Sequence, residues 1–148
     1  MDIGSKCSYP ASALSNFACH PFIIDDIQCN SMEGFLQSLK FKNEEMQREI
    51  CLLVGYGAKK AGRNKKWFRD QTLYWKGKPY KRKSSEYQVL LDRAYNALFQ
   101  NDAFRKALYA TKGCMITHTI GKIKESDTVL TQREFCSRLM YLRDFGEL

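Results

Sequence analysis

Apolar residues recur at helical spacing through most of the chain. Ser31 offers an N-cap, and Met32, Phe35, Leu36 and Leu39 fall on one stripe, which predicts a helix from Met32 to Phe41. Asn43 opens a second helix over residues 44–54, with Met46, Ile50, Leu53 and Val54 inward, and Gly55 and Gly57 are expected to end it. Ala58 to Arg63 adds one further turn. Ser84, Ser85 and Glu86 supply capping chemistry for a long helix through Phe99, Asn101 or Asp102 caps a helix over 103–111, and Thr131 caps the last, over 132–145. Phe22 to Ile27 reads as a short strand or hairpin with Asp25 and Asp26 at its turn, and residues 114–119 as a short β-branched strand. Between Asn64 and Lys83 the periodicity fails, and glycine, proline and lysine around two tryptophans predict an extended loop or irregular ribbon. The expectation is a single α+β domain over residues 1–148, mainly α, with about six helices and a small β element near the N-terminus.

Composition narrows the classes. With 148 residues, 44% of them apolar and 13% aromatic, the chain can bury one sizeable core, which excludes a large multidomain enzyme and a disordered chain. No apolar run approaches the ~20 residues needed to span a bilayer, and MDIGSKCSYP lacks a signal-peptide core, so a cytoplasmic protein without a membrane partner is expected. The six cysteines are then expected as free thiols. With two histidines and no CxxC, the spacings Cys114/His118 and Cys19/His20 do not make a metal site, and neither metal nor organic cofactor is expected.

Charge is concentrated. The formal net charge is +8, yet residues 58–83 hold eleven basic residues against the single acid Asp70, so this segment carries +10 and the rest of the chain −2. Such a segment is either a solvated, solubilising loop or a surface for phosphates of a nucleotide or a nucleic acid.

No GxGxxG, Walker loop, HExxH or GxSxG occurs. What remains is a set on the helix after Ser31: Glu33, Gln37, Lys40 and Phe41, at i, i+4, i+7 and i+8, project a carboxylate, an amide and an amine from one side. Spacing alone leaves an exposed polar stripe and a site as alternatives.

The flanking segments add a resemblance. Leu14-Ser15-Asn16-Phe17, Pro21-Phe22, and Glu33-Gly-Phe35-Leu-Gln37-Ser-Leu-Lys40-Phe41 resemble the signature of the NADAR (YbiA-like) family, an SNF element followed by a Glu-aromatic-Gln-Lys-Phe helix. Ala58 to Asn64 is similar to that family's segment ending in Gly-Arg, here Gly62 and Arg63. Ala107-Leu-Tyr-Ala-Thr111 and Leu139-Met-Tyr-Leu-Arg143 match two later segments, so the likeness runs from residue 14 to 143 in order. Two departures stand out. His118-Thr-Ile-Gly121-Lys122 followed by Asp127 replaces a Trp-Gly-rich loop, and Trp75-Lys-Gly-Lys-Pro79 lies within a basic insertion spanning 64–83.

The resemblance implies hydrolysis of a C–N bond at ribose, on ADP-ribosylated guanine or a related ADP-ribose compound, or on a ribosylamino-pyrimidine phosphate of riboflavin synthesis. Glu33 is then the acid/base. Lys40 either orients Glu33 and phosphate while water attacks, or attacks the sugar as a neutral amine. Ser15, Asn16, Phe17, Gln37, Gly62, Arg63, Trp75, His118, Gly121 and Asp127 make up the expected substrate site: Arg63 on phosphate, Trp75, Tyr74 or Phe17 stacked on a base, Asn16 and Gln37 on ribose hydroxyls or the base edge, His118 beside Gly121 in contact with the ligand or in proton transfer, Asp127 as a second carboxylate. Asp92, next to Arg93, reads as a surface charge. The expected partner is a small nucleotide or ADP-ribose substrate, with ADP-ribosylated DNA or RNA held through residues 58–83 as a further expectation; oligomeric state is not legible. The rival is a non-catalytic module binding nucleic acid or ADP-ribose, with Trp67 and Trp75 stacking on bases.

Overall fold

The computed structural model describes residues 1–148. Seven helices, α1 (Ala11–Leu14), α2 (Met32–Ser38), α3 (Glu44–Cys51), α4 (Gly55–Gly62), α5 (Ser85–Phe99), α6 (Asp102–Tyr109) and α7 (Gln132–Phe145), surround two hairpins, β1 (Phe22–Ile24) with β2 (Ile27–Cys29) and β3 (Thr72–Trp75) with β4 (Lys78–Lys81). Short 3-10 turns cover Trp67–Arg69 and Glu125–Asp127. The fold is α+β and mainly helical, as expected, with one core cluster of 32 buried residues.

Local chemistry starts most of these helices. Ser31, Asn43, Ser84, Asn101 and Thr131 each accept a bond from a backbone N–H in the first turn, and Thr131 forms a full capping box with Glu134. The central helix α5 buries Leu90, Leu91, Ala94, Tyr95 and Leu98 completely or nearly so.

Four expectations are corrected. The four-residue α1 is an additional helix, too short to show a period. Gly55 and Gly57 do not merely end α3: the chain turns at Gly55 (φ +55°) and enters α4, two turns long. Residues 114–119 contribute only one bridge, Thr117 to Asp2, because the N-terminal segment pairs there instead of a strand. The segment 64–83 is ordered, with the second hairpin turning at Lys76 and Gly77 (φ +51° and +82°), as the first turns at Asp25 and Asp26 (φ +50° and +64°).

Buried Gln47 of α3 fastens that second hairpin. Its Nε2 donates to the carbonyls of Tyr74 (2.8 Å), Ser38 (3.0 Å) and Phe41 (3.2 Å), and its Oε1 accepts from Lys76 N (3.0 Å). Tyr74 N also donates to Leu39 O (2.8 Å). The hairpin therefore grips the end of α2, one residue before Lys40. Its other end is fixed by Arg82, fully buried, which makes a two-pronged pair with Glu134 (2.6 and 3.1 Å) and donates from Nε to Thr128 O (2.7 Å).

Candidate active site

The start of α2 is held by the segment before β1. Glu33 N, one of the orphan donors of a helix start, donates to Asn16 O (2.9 Å), while Phe17 O accepts from Gly55 N (3.1 Å) and Ser15 Oγ accepts from Phe17 N (3.2 Å). Ser15, Asn16 and Phe17 thus form a strap across α2 and the turn into α4. Tyr95, buried on α5, donates its hydroxyl to Asn16 Oδ1 (2.9 Å). That bond turns the Asn16 amide so that its N–H groups stay free for another acceptor.

On the same face, Gln37 Nε2 donates to Glu33 Oε2 (2.7 Å). Gln37 is buried, and its Oε1 has no partner. Gly62 of α4 makes this possible: a Cβ on residue 62 would lie 1.9 Å from Gln37 Oε1. Gly62 O in turn accepts from Lys40 Nζ (3.4 Å). Glu33, Gln37, Gly62 and Lys40 are therefore one chain of contacts, with the carboxyl at one end and the amine at the other.

Burial acts on both ends. It pushes the Glu33 carboxyl above its ordinary value of 4.5, against the Gln37 bond and the positive charge of Lys40, Lys59 and His118. It pushes the Lys40 ammonium below its ordinary 10.5 against the pull of Glu33, and Lys122 and Lys59 add to the lowering. Each group is driven toward its neutral form.

His118 Nδ1 donates to Ile3 O (2.8 Å), so that Nε2 is the ring nitrogen without a protein partner. The ring stands edge-on to Phe135, with 5.0 Å between centroids. Gly121 leaves room for it, since a Cβ there would sit 2.6 Å from His118 Cδ2. Lys59 Nζ lies 6.0 Å from the Phe17 ring centroid. No three His, Cys, Asp or Glu side chains gather as a metal ligand set, and no helix is long and apolar enough to cross a membrane.

The structure brings together Glu33, Gln37, Lys40, Gly62, the Ser15–Phe17 strap, and His118 with Gly121. Three expected members fall elsewhere. Trp75 is buried against Phe35 (5.0 Å between centroids) and donates to Asp25 Oδ2 (2.8 Å), so it is a core residue unable to stack on a ligand. Trp67 is buried as well, which removes both tryptophans of the stacking scheme. Arg63 points outward, donating to Tyr56 OH (2.6 Å) and lying 5.2 Å from its ring centroid. Asp127 is exposed on its 3-10 turn, and its carboxylate has no hydrogen-bond partner. Asp92 is paired with Arg138 of α7 (2.9 Å), not merely a surface charge beside Arg93. Two shallow hollows, one lined by Phe22, Gln28 and Gln100 among others and one by Lys78, Tyr80 and Arg93 among others, do not touch Glu33 or Lys40.

Three residues were missed. Lys59 is three positions before Gly62 and shares its face of α4, so helical spacing pointed to it. Lys122 follows Gly121. Tyr95 stands 79 positions from Asn16 and left no local signal.

The profile of the bacteriophage protein GP30.3 family matches residues 8–144. The chain belongs to that family. A relative from Enterobacteria phage T4, described as an uncharacterized 17.1 kDa protein in the Gp30-rIII intergenic region, is 44% identical over 147 residues, covering 97% of either chain. Among solved structures, the NMR structure of Escherichia coli YbiA superposes with a TM-score of 0.62 at 22% identity, over 97% of this chain and 82% of YbiA. A GP30.3-family protein thus shares the YbiA-like fold, in accord with the NADAR-like motifs in its sequence.

Proposed function

We propose that this GP30.3-family protein is an N-glycosyl hydrolase that cleaves the bond between ribose C1 and a base nitrogen, releasing ADP-ribose from an ADP-ribosylated guanine or a related ADP-ribose compound. The observation that carries the reading is the linked pair of Glu33 and Lys40, both driven toward neutrality by burial and ringed by Lys59, Lys122 and His118.

A neutral carboxyl is a proton donor and a neutral amine is a nucleophile. Lys40 Nζ attacks C1 as the C1–N bond breaks, and the Glu33 proton goes to the departing base nitrogen. The Glu33 carboxylate then takes a proton from the new C1–N bond's ammonium. The sugar ring opens to an imine, and water hydrolyses it, restoring the amine and freeing the ribose. Gln37 holds the Glu33 carboxyl in place, and Asn16, oriented by Tyr95, offers its free N–H groups to a sugar or phosphate oxygen. The surrounding cations favour an ADP-ribose pyrophosphate over the single phosphate of a pyrimidine intermediate.

The test is parallel incubation with ADP-ribosylated guanosine, ADP-ribosylated DNA and the ribosylamino-pyrimidine phosphate, with mass detection of freed base and sugar. Release of guanine-bearing product, abolished by Glu33→Gln and by Lys40→Ala, is expected. Preferential cleavage of the pyrimidine phosphate overturns the substrate choice. Tight ADP-ribose binding without any turnover makes the protein a binding module.

A further inference from the structure

Ten of the eleven basic side chains between residues 58 and 83 have no carboxylate within salt-bridge distance; only Arg82 is paired. Elsewhere in the chain four of the thirteen basic residues, Arg93, Arg105, Arg138 and Arg143, are paired. The unpaired set includes Lys65, which lies 4.6 Å from the centroid of Phe41, the residue after Lys40, and whose N–H donates to Gly62 O, the acceptor of Lys40. Three residues on, and set among Lys65, Lys66 and Arg69 in the sequence, Phe68 is 54% exposed while its neighbour Trp67 is buried. Phe68 is therefore an aromatic face presented among cations.

The loop that leads into the second 3-10 turn carries another apolar group. Ile120 and Ile123, at 77% and 78% exposed, flank Lys122 with Lys124 beside them. This loop is held: Gln132 Nε2 donates to Thr119 O (3.3 Å) and Gly121 O (2.5 Å), and Gln132 N donates to Lys122 O (2.9 Å). The two regions are joined, since Gln71 Nε2 donates both to Phe68 O (2.9 Å) and to Ser126 O (3.1 Å). Exposed apolar side chains on hydrogen-bonded backbone, set among unpaired cations, match a strand that offers phosphates and unstacked bases together.

We infer that Phe68, Ile120 and Ile123, with Lys65, Lys66, Arg69 and Lys124, form one face for a single-stranded nucleic acid running past the Glu33–Lys40 site. The scissile adduct is then carried on a base within a polynucleotide, with the neighbouring bases stacked on Phe68 and against the isoleucines. This assignment of substrate rests on the glycosidase reading; the face itself does not.

The test uses an unmodified, fluorescently labelled single-stranded oligonucleotide and its duplex, read by anisotropy over a salt series, so that it is independent of turnover. The expected result is salt-dependent binding, tighter for the single strand. Phe68→Ala weakens single-strand binding by roughly fivefold to a hundredfold. The triple variant Lys65→Gln, Lys66→Gln, Arg69→Gln lowers the slope of log affinity against log salt by roughly one for each phosphate left without its cation. Ile120→Ser with Ile123→Ser narrows the preference for single strand over duplex. All these positions are exposed, and melting curves of each variant confirm that the fold is kept. Absence of binding at low salt, or equal affinity of Phe68→Ala and the parent, overturns the inference. Binding as expected together with no release of any base leaves the face standing and sinks the glycosidase reading.

Discussion

Gly62→Ala probes the joint between α4 and the Glu33 face. The added Cβ lies 1.9 Å from Gln37 Oε1, 2.9 Å from Gln37 Cδ and 3.2 Å from Gln37 Cβ. Because the stem of Gln37 is already in tight contact, the amide has to swing away, and its 2.7 Å bond to Glu33 is lost. Losing a hydrogen bond to a buried carboxyl costs about 1.5–3 kcal/mol, and alanine in place of a helical glycine returns about 0.5–1 kcal/mol. The net is a loss of about 0.5–2.5 kcal/mol, which for a chain of this size lowers Tm by roughly 1–10 °C. Gly57 supplies the control: it lies on the same helix, and a Cβ added there would meet nothing within 4 Å, so Gly57→Ala is expected to gain about 0.5–1 kcal/mol. Differential scanning calorimetry of both variants measures the contrast. In a Gln37→Ala background the Gly62→Ala change is expected to become neutral or stabilising. If Gly62→Ala is as stable as Gly57→Ala in the parent, the proposed close approach of Gly62 to Gln37 is wrong.

Glu33→Gln removes a carboxyl that burial disfavours. Because the folded value is raised above the ordinary 4.5, the stability it contributes is present at lower pH and lost as pH rises through the folded value, so the variant should melt higher than the parent at pH 7 and the gap should close toward pH 4.5, while turnover falls by about 100- to 10,000-fold. Arg82→Met strands Glu134 in the interior and is expected to cost about 3–5 kcal/mol, seen as a lower denaturation midpoint. In the parent, burial raises the Glu134 carboxyl, but the bonds from Arg82, Thr131 and Gln88 outweigh it and hold it below 4.5, so that contribution is present above 4.5 and lost as pH falls through the folded value. Borohydride added during turnover should trap the sugar on Lys40, located by peptide mass mapping; turnover without any adduct excludes the amine route. Lys122→Gln removes a like charge acting on Lys40, so the rising limb of the pH–rate profile should move to higher pH.

What could be read in advance was what is written locally. Ser31, Asn43, Ser84, Asn101 and Thr131 each cap the helix that follows within three residues, and Glu33, Gln37 and Lys40 share a face by spacing alone. The second hairpin was illegible because its turn is Lys76-Gly77, not a strong hairpin dipeptide, and because Gln47, 27 positions before Tyr74, holds it. Trp75 and Phe68 show the same limit from the other side: both are aromatic residues in one basic run, and only the packing of Phe35 and the carboxylate of Asp25 decide that Trp75 turns inward. Arg63 follows Gly62 directly, yet one residue along a helix is a rotation of roughly 100°, enough to carry it to Tyr56 and away from Gln37.

The bonds that Gln47 and Leu39 make to the ribbon over 72–81 give that stretch a second role. It splints the helix end from which the Lys40 amine emerges, so excising it to obtain a smaller protein would slacken that amine's mooring. Trimming or grafting should spare its backbone and vary only the side chains that face water.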